Sequence, residues 1–255
     1  MTGPTKLLLL VLMSLCQNGL GSDIVNGKKV PKNLMLYMAL VQNSQGQRCG
    51  GFLISQDFVL TAAHCNDIKP STVVLGTHNL KNVTKDMRYG IAKKCIPPHF
   101  TKAANGGDIM LLKLSRKPPL NNRVQPVQLP KAANKIKDNA KCRVAGWGLT
   151  KTEGPNVDVL QFTEVPIVNL EVCKKQWKII NFDLPKNVIC AGGYKVKKGF
   201  CQGDSGGPLV CGGTAVGVVS FNMRKDCDYP NVPNVYTDIS KYLQWIKDVL
   251  KKKSC

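Results

Sequence analysis

From Ile24 to Thr237 the chain runs in short β-branched or apolar stretches broken by Gly, Pro and Asn, with turn signals at close intervals. FLISQDFVLTA (52–62), TVVLG (72–76), DIMLLKL (108–114), CRVAGWG (142–148) and TAVGVVSF (214–221) read as strands. With no internal repeat and no low-complexity tract, this pattern predicts an antiparallel barrel or sandwich. The Pro-rich polar segment KPPLNNRVQPVQLP (117–130) reads as an extended connector between two halves of similar size. The one strong helical period comes last. Ile239, Tyr242, Leu243, Ile246, Val249 and Leu250 recur at three- and four-residue spacing behind a cap at Asp238 or Ser240, predicting a helix over 238–250. Lys247 and the basic tail 251–255 place cations where a helix C-terminus favours them.

Composition excludes intrinsic disorder: 43% of the 255 residues are hydrophobic, enough for a sizeable core. The first residues have the form of a secretory signal. Lys6 leads the apolar run Leu7 to Leu15, and Gly19 and Gly21 fit cleavage after residue 21. That run is about half the ~20 residues a membrane span needs, and no other stretch comes closer, so a soluble, secreted protein is expected. Eleven scattered cysteines imply disulfides and an oxidising compartment, and loss of Cys16 with the signal leaves an even number. The 36 Lys and Arg against 16 Asp and Glu give a net +20, which favours polyanionic partners. Nucleic acid is not expected among them, since no zinc finger, helix-turn-helix or aromatic-studded basic strand is present and secretion argues against it.

Three segments carry candidate chemistry. CQGDSGGPLVC (201–211) sets Ser205 between Asp204 and two glycines, where open backbone lets a carbonyl approach both the hydroxyl and main-chain N–H groups. TAAHC (61–65) puts His64 beside a cysteine that a disulfide could fix. GGDIMLLKL (106–114) places Asp108 at the head of an apolar strand, where a carboxylate is costly to bury without a partner, and His64 is a partner of the right kind. Each segment alone has a structural reading, as a Gly-rich turn, a strand end with a satisfied histidine, or a capping carboxylate. His78 and His99 fall in polar loops and read as surface histidines without a role.

In the order His, Asp, Ser, these segments resemble the chymotrypsin-like serine proteases, and the resemblance covers essentially all of 24–250. It implies an all-β fold of two antiparallel six-stranded barrels with a C-terminal helix. The implied layout is a signal peptide 1–21, a dipeptide 22–23, a first barrel over about 24–116, the connector 117–130, a second barrel 131–237 and the helix 238–250. It also implies catalysis by His64, Asp108 and Ser205, with an oxyanion hole at the N–H groups of Gly203 and Ser205. IVNG (24–27) is similar to the family's activation sequence, in which a new ammonium at Ile24 pairs with Asp204. The residue before it is Asp23, so tryptic activation does not fit and removal of Ser22-Asp23 by a dipeptidyl peptidase does. This resembles the granule branch of granzymes, mast cell proteases and duodenase-like enzymes, stored in secretory granules or secreted.

The same resemblance implies a specificity pocket of Gly199, Phe200, Ser220, Phe221, Asn222 and Asn234. Trypsin-like relatives carry an Asp where this chain has Gly199, so Lys or Arg loses its counter-ion. Asn222 should narrow the entrance and Asn234 should offer dipoles at the floor, leaving a small or medium neutral P1 residue. The implied disulfides are Cys49–Cys65, Cys142–Cys211, Cys173–Cys190 and Cys201–Cys227. Cys95 and Cys255 are then left, and a bridge between them pinning the terminal helix is expected, the alternatives being a free thiol or pairing between molecules. No metal or cofactor is expected, because the loop 77–87 has only Asp86 among its lysines. Asn82-Val83-Thr84 is a glycosylation sequon. Expected partners are protein or peptide substrates, sulfated glycosaminoglycan or proteoglycan, and serpin-type inhibitors. A cationic polyanion-binding or antimicrobial protein with little proteolytic activity stays open as the alternative to a serine endopeptidase.

Overall fold

The computed structural model describes residues 24, 26–132, 136–229, 231–253 and 255. The expected signal peptide and the dipeptide Ser22-Asp23 lie outside them. The strands, in chain order, are β1 (Lys28–Lys29), β2 (Met38–Gln42), β3 (Arg48–Leu53), β4 (Phe58–Thr61), β5 (Thr72–Val74), β6 (Arg88–Cys95) and β7 (Met110–Leu114). After the connector come β8 (Lys141–Gly146), β9 (Gln161–Val168), β10 (Val188–Ala191), β11 (Pro208–Cys211), β12 (Thr214–Phe221) and β13 (Asn234–Asp238). The first barrel closes in the order β2-β3-β4-β7-β6-β5. The second runs β9-β10-β13-β12-β11-β8 and closes by β8 on β9, with the short β1 added at β9. Every pairing between these strands is antiparallel.

Burial follows from where each strand lies. In β9 the residues alternate, with Gln161, Thr163, Val165 and Ile167 inward, as a strand with one wet face should. In β4 all four residues are buried, because its outer face meets the other barrel. Val210, Ala215 and Val218 of β11 and β12 join the core formed by Phe52, Phe58, Leu60 and Leu111 of the first barrel. Each such aromatic or aliphatic side chain contributes about 1.5–3 kcal/mol on leaving water. The seam between the barrels is therefore as dry as their interiors, and the candidate residues gather along it. The connector 117–130 has no strand of its own, but Asn121 Oδ1 accepts from the N–H groups of Arg123 and Val124, and Val124 and Val127 are buried against the first barrel.

Two α-helices are present among the described residues. The first, α1 (Leu170–Ile179), was not expected. It buries only Cys173 and Trp177, too few for a helical period to stand out, and relies on Asn169, whose side chain accepts from the N–H groups of Glu171 and Val172. The second, α2 (Leu243–Lys252), starts later and ends later than the predicted 238–250. Asp238 caps a separate 3-10 turn, Ile239–Lys241, by accepting from Ser240 N–H, and the chain turns at Tyr242 before α2 begins. Ile246 and Val249 of α2 pack on the first barrel, and neither helix is long and apolar enough to cross a membrane.

Among the described residues five disulfides are present: Cys49–Cys65, Cys95–Cys255, Cys142–Cys211, Cys173–Cys190 and Cys201–Cys227. Cys95–Cys255 joins the end of β6 to the residues beyond α2 across a sequence separation of 160, and Lys113 Nζ of β7 donates to Lys253 O beside it, 2.8 Å away. Closing so long a loop restricts the unfolded chain by up to about 5 kcal/mol in the chain-entropy model. Cys255→Ser should therefore lower the unfolding free energy by a few kcal/mol in urea titration and expose α2 to hydrogen exchange ahead of the barrels. Unchanged stability would show that the helix is held by packing alone.

Candidate active site

The three candidate side chains stand at strand ends that converge on the seam. His64 follows β4 in the 3-10 turn Ala63–Ile68, Asp108 precedes β7, and Ser205 precedes β11. Because β4 pairs with β7 through Thr61 and Met110, residues 44 apart in sequence are brought together. Asp108 Oδ1 accepts from the backbone N–H of His64 (2.9 Å), and its Oδ2 lies 2.7 Å from His64 Nδ1. Facing a carboxylate, Nδ1 carries the proton, so the lone pair is left on Nε2. From the second barrel, Ser220 donates to the same Oδ2 at 2.5 Å, and Thr237 Oγ1 donates to Asp108 O at 2.8 Å. Ser205 is tied to the first barrel by the Gly50 N–H, which donates to its carbonyl at 2.7 Å. The disulfide Cys49–Cys65 locks β3 to the turn carrying His64.

Charge at this pair is set by opposed influences. Burial, the largest of them, pushes the His64 pKa down, but the hydrogen bond and charge of Asp108, with Asp67 adding, carry it above the ordinary 6.5. Burial pushes Asp108 up, yet the hydrogen bond and charge of His64, with donors from Ser220 and the His64 backbone, hold it below the ordinary 3.8. An ionised Asp108, 1% exposed, thus faces an imidazole whose basic nitrogen is open.

Around Ser205 two backbone N–H groups are left open. Gly203 has φ 91°, and a Cβ there would come within 2.9 Å of Asn156 Oδ1 and Gly148 Cα, so only glycine fits this turn. The N–H groups of Gly203 and Ser205 donate to no other atom among the described residues. Asp204 points the other way, fully buried, accepting from the N–H groups of Gly148 (2.8 Å) and Cys201 (3.0 Å). Burial pushes its pKa up to about 7, against lowering by those two N–H groups and by the charge of Arg48. Ile24 is also fully buried, but no ion pair between it and Asp204 is found among the described residues, since within the 255-residue chain its nitrogen is an uncharged amide.

A cavity of about 290 Å³ opens at these residues, lined by His64, Ser205, Phe200, Ser220, Phe221 and Asn222 among others. Phe221, expected in the pocket, stacks edge-on against Trp177 of α1 at 5.3 Å and against Phe182 at 5.7 Å, two aromatic partners not expected from the sequence. Asn222 Nδ2 donates to Asp226 O at 3.2 Å, turning its amide toward the following loop. Gly199 and Asn234, both expected in the specificity pocket, do not line the cavity; Tyr229, not among the residues expected there, lies against both. Cys49, His64 and Cys65 are close enough to share a metal ion, but the two cysteines are bridged and His64 Nδ1 is engaged by Asp108, so no ligand set remains there. Of the loop histidines, His78 is half-buried with Nε2 2.8 Å from Leu34 O, while His99 is exposed.

A family model described as Trypsin matches residues 24–246. The chain is 39% identical over 253 residues to granzyme B of Rattus norvegicus, covering 97% of this chain and 99% of that protein. It is 37% identical over 250 residues to duodenase-1 of Bos taurus, with 96% of each covered. Against mast cell protease 3 of Ovis aries it is 36% identical over 250 residues, again covering 96% of each.

The pair His64–Asp108 has a defined pH signature. A raised histidine pKa contributes stability in full below pH 6.5 and loses it as pH rises through the folded value; a lowered carboxylate pKa contributes above pH 3.8. Both contributions are complete between pH 3.8 and 6.5. By NMR the His64 imidazole should titrate above 6.5, and in Asp108→Asn at a lower pH than in the wild type. The stability gap between the two proteins should narrow as pH rises above that window. A His64 pKa unmoved by Asp108→Asn would contradict the assignment of its cause.

Proposed function

The chain belongs to the trypsin family of serine proteases, and we propose that it is a secreted or granule-stored endopeptidase working through His64, Asp108 and Ser205. The observation that carries the roles is the 2.7 Å contact of His64 Nδ1 with a buried carboxylate, beside a serine whose neighbouring N–H groups are unpaired. Ser205 Oγ attacks the scissile carbonyl while His64 Nε2 takes its proton. The oxygen turns anionic and accepts from the N–H groups of Gly203 and Ser205, each worth roughly 3–4 kcal/mol in the transition state. The imidazolium, stabilised by Asp108, gives its proton to the leaving amine. Water then repeats the sequence on the acyl-enzyme, with His64 as base, and frees the acid product.

The P1 preference in this reading is neutral and small to medium. Neither Gly199 nor Asn234 offers a charge to Lys or Arg, and the cavity beside Ser205 is modest in volume. Sulfated glycosaminoglycan is the polyanion favoured as partner. The net charge of +20 supports this, and pairing of β6 with β7 plus the bridge to Cys255 gathers Lys93, Lys94, Lys113 and Lys251 to Lys253 near one another. Exposed Asn82 is the proposed glycan acceptor.

Ser205→Ala should leave a folded protein with peptide hydrolysis reduced by about 10⁶-fold, the order found when the nucleophile of such a unit is removed. The wild type, trimmed to Ile24, should be phosphonylated at Ser205. Near-wild-type turnover by Ser205→Ala would overturn the reading.

Activation by removal of residues 22–23 belongs to the same proposal. Before trimming, Asp204 is held neutral up to a pKa of about 7, against the ordinary 3.8, so ionising it costs stability that accumulates as pH rises between those values. The ammonium of Ile24 would reverse that cost. The trimmed form should therefore be active where the untrimmed one is not, and its advantage in melting temperature should widen from pH 3.8 to about 7. Equal activity and a pH-independent gap would rule the pairing out.

A further inference from the structure

Below the cavity the space is already taken. A Cβ added to Gly199 would collide with Asn234 Nδ2 and lie 2.7 Å from the Tyr229 hydroxyl and 3.0 Å from its Cζ. Tyr229, only 6% exposed, reaches this point from the loop that follows Cys227, and its hydroxyl donates to Phe200 O at 2.9 Å. Phe200 itself lines the cavity, whereas Gly199, Asn234 and Tyr229 lie behind it, so the ring closes the space beneath Phe200. Asn234 is 1% exposed, and its side-chain amide faces the Tyr229 hydroxyl, so the phenol occupies the donor that would otherwise point to this spot.

We propose that Tyr229 is the floor of the P1 pocket and the residue that sets how long a P1 side chain this enzyme accepts. Gly199 supplies no side chain, so the depth it leaves is filled from the side by the phenol rather than opened to substrate. Small P1 residues such as Ala or Val fit above the ring; Met, Leu or Gln meet it. Removing the ring would extend the pocket to Gly199 and expose Asn234 Nδ2, a donor suited to a Gln side-chain oxygen. The assignment rests on the serine protease reading above.

The test compares kcat/KM on peptides differing only at P1, as Ala, Val, Met and Gln, with active enzyme counted by phosphonate titration. The wild type should favour Ala and Val. Tyr229→Ala should raise the Met-to-Ala and Gln-to-Ala ratios at least about tenfold, the discrimination a few methylenes provide in a pocket. Tyr229→Phe keeps the ring and should leave the ratios unchanged. Should Tyr229→Ala fail to fold, Tyr229→Leu shortens the floor and should shift the ratios the same way. A wild type that cleaves after Met as readily as after Ala, or titratable variants with unshifted ratios, would overturn the assignment and leave the protease reading standing. A correctly trimmed wild type that takes up no phosphonate would overturn both.

Discussion

The buried carboxylate of Asp108 is the interaction on which the site depends. It sits at the dry seam of two barrels, where an ion without partners would cost several kcal/mol. Each barrel contributes to satisfying it: His64 offers its ring and backbone N–H from the first, and Ser220 offers a hydroxyl from the second. The hydrogen bond from Thr237 to Asp108 O fixes the backbone at the same point. In the packed pair both barrels help to keep the carboxylate ionised, His64 more than Ser220. The orientation of the His64 imidazole is set by Asp108 within the first barrel, and the second barrel supports that carboxylate through Ser220 and Thr237.

Asp204 has the same chemistry in the opposite circumstance. Both carboxylates are buried within the seam region, yet one is held below its ordinary pKa and the other is pushed up to about 7. The difference lies in charge. Asp108 faces an imidazole that can become a cation, while Asp204 has two neutral amide donors and the charge of the partly exposed Arg48. A site that needs one carboxylate ionised throughout and another ionised only after processing can obtain both by where it places the cation.

Much of this was legible in the chain. The strand runs stood out because a barrel interior demands apolar residues on every strand, and the order of the three motif segments pointed to a family and so to two barrels. The helix α1 did not stand out, because Cys173 and Trp177 are its only buried residues and its start depends on the Asn169 side chain. The bend at Tyr242, which splits a 3-10 turn from α2, leaves no mark on a period that continues through it. Ser220 was read as pocket wall, and its second contact, with Asp108, required the register of β12 against the seam. Tyr229 lay in DYPNVP, a turn by composition, where nothing local says which way a ring points.

That loop is held too firmly for the ring to act as a movable plug. Arg224, Lys225, Tyr229 and Asn231 all have positive φ, between 48° and 68°, a conformation that costs non-glycine residues of order 1 kcal/mol or more each. Such a cluster persists only where its surroundings determine it. Cys227 is bridged to Cys201 and its N–H donates to Thr152 Oγ1; Asn231 Oδ1 accepts from Lys195 N–H at 2.7 Å; and the phenol is fixed by Phe200 O. Swinging the ring out would break that last hydrogen bond and expose the apolar contacts it shares with Cys201 and Cys227. If the ring is the floor proposed above, anchoring on this many sides gives a pocket of constant depth, and selection at P1 would operate through steric exclusion in the bound state rather than through opening of a gate.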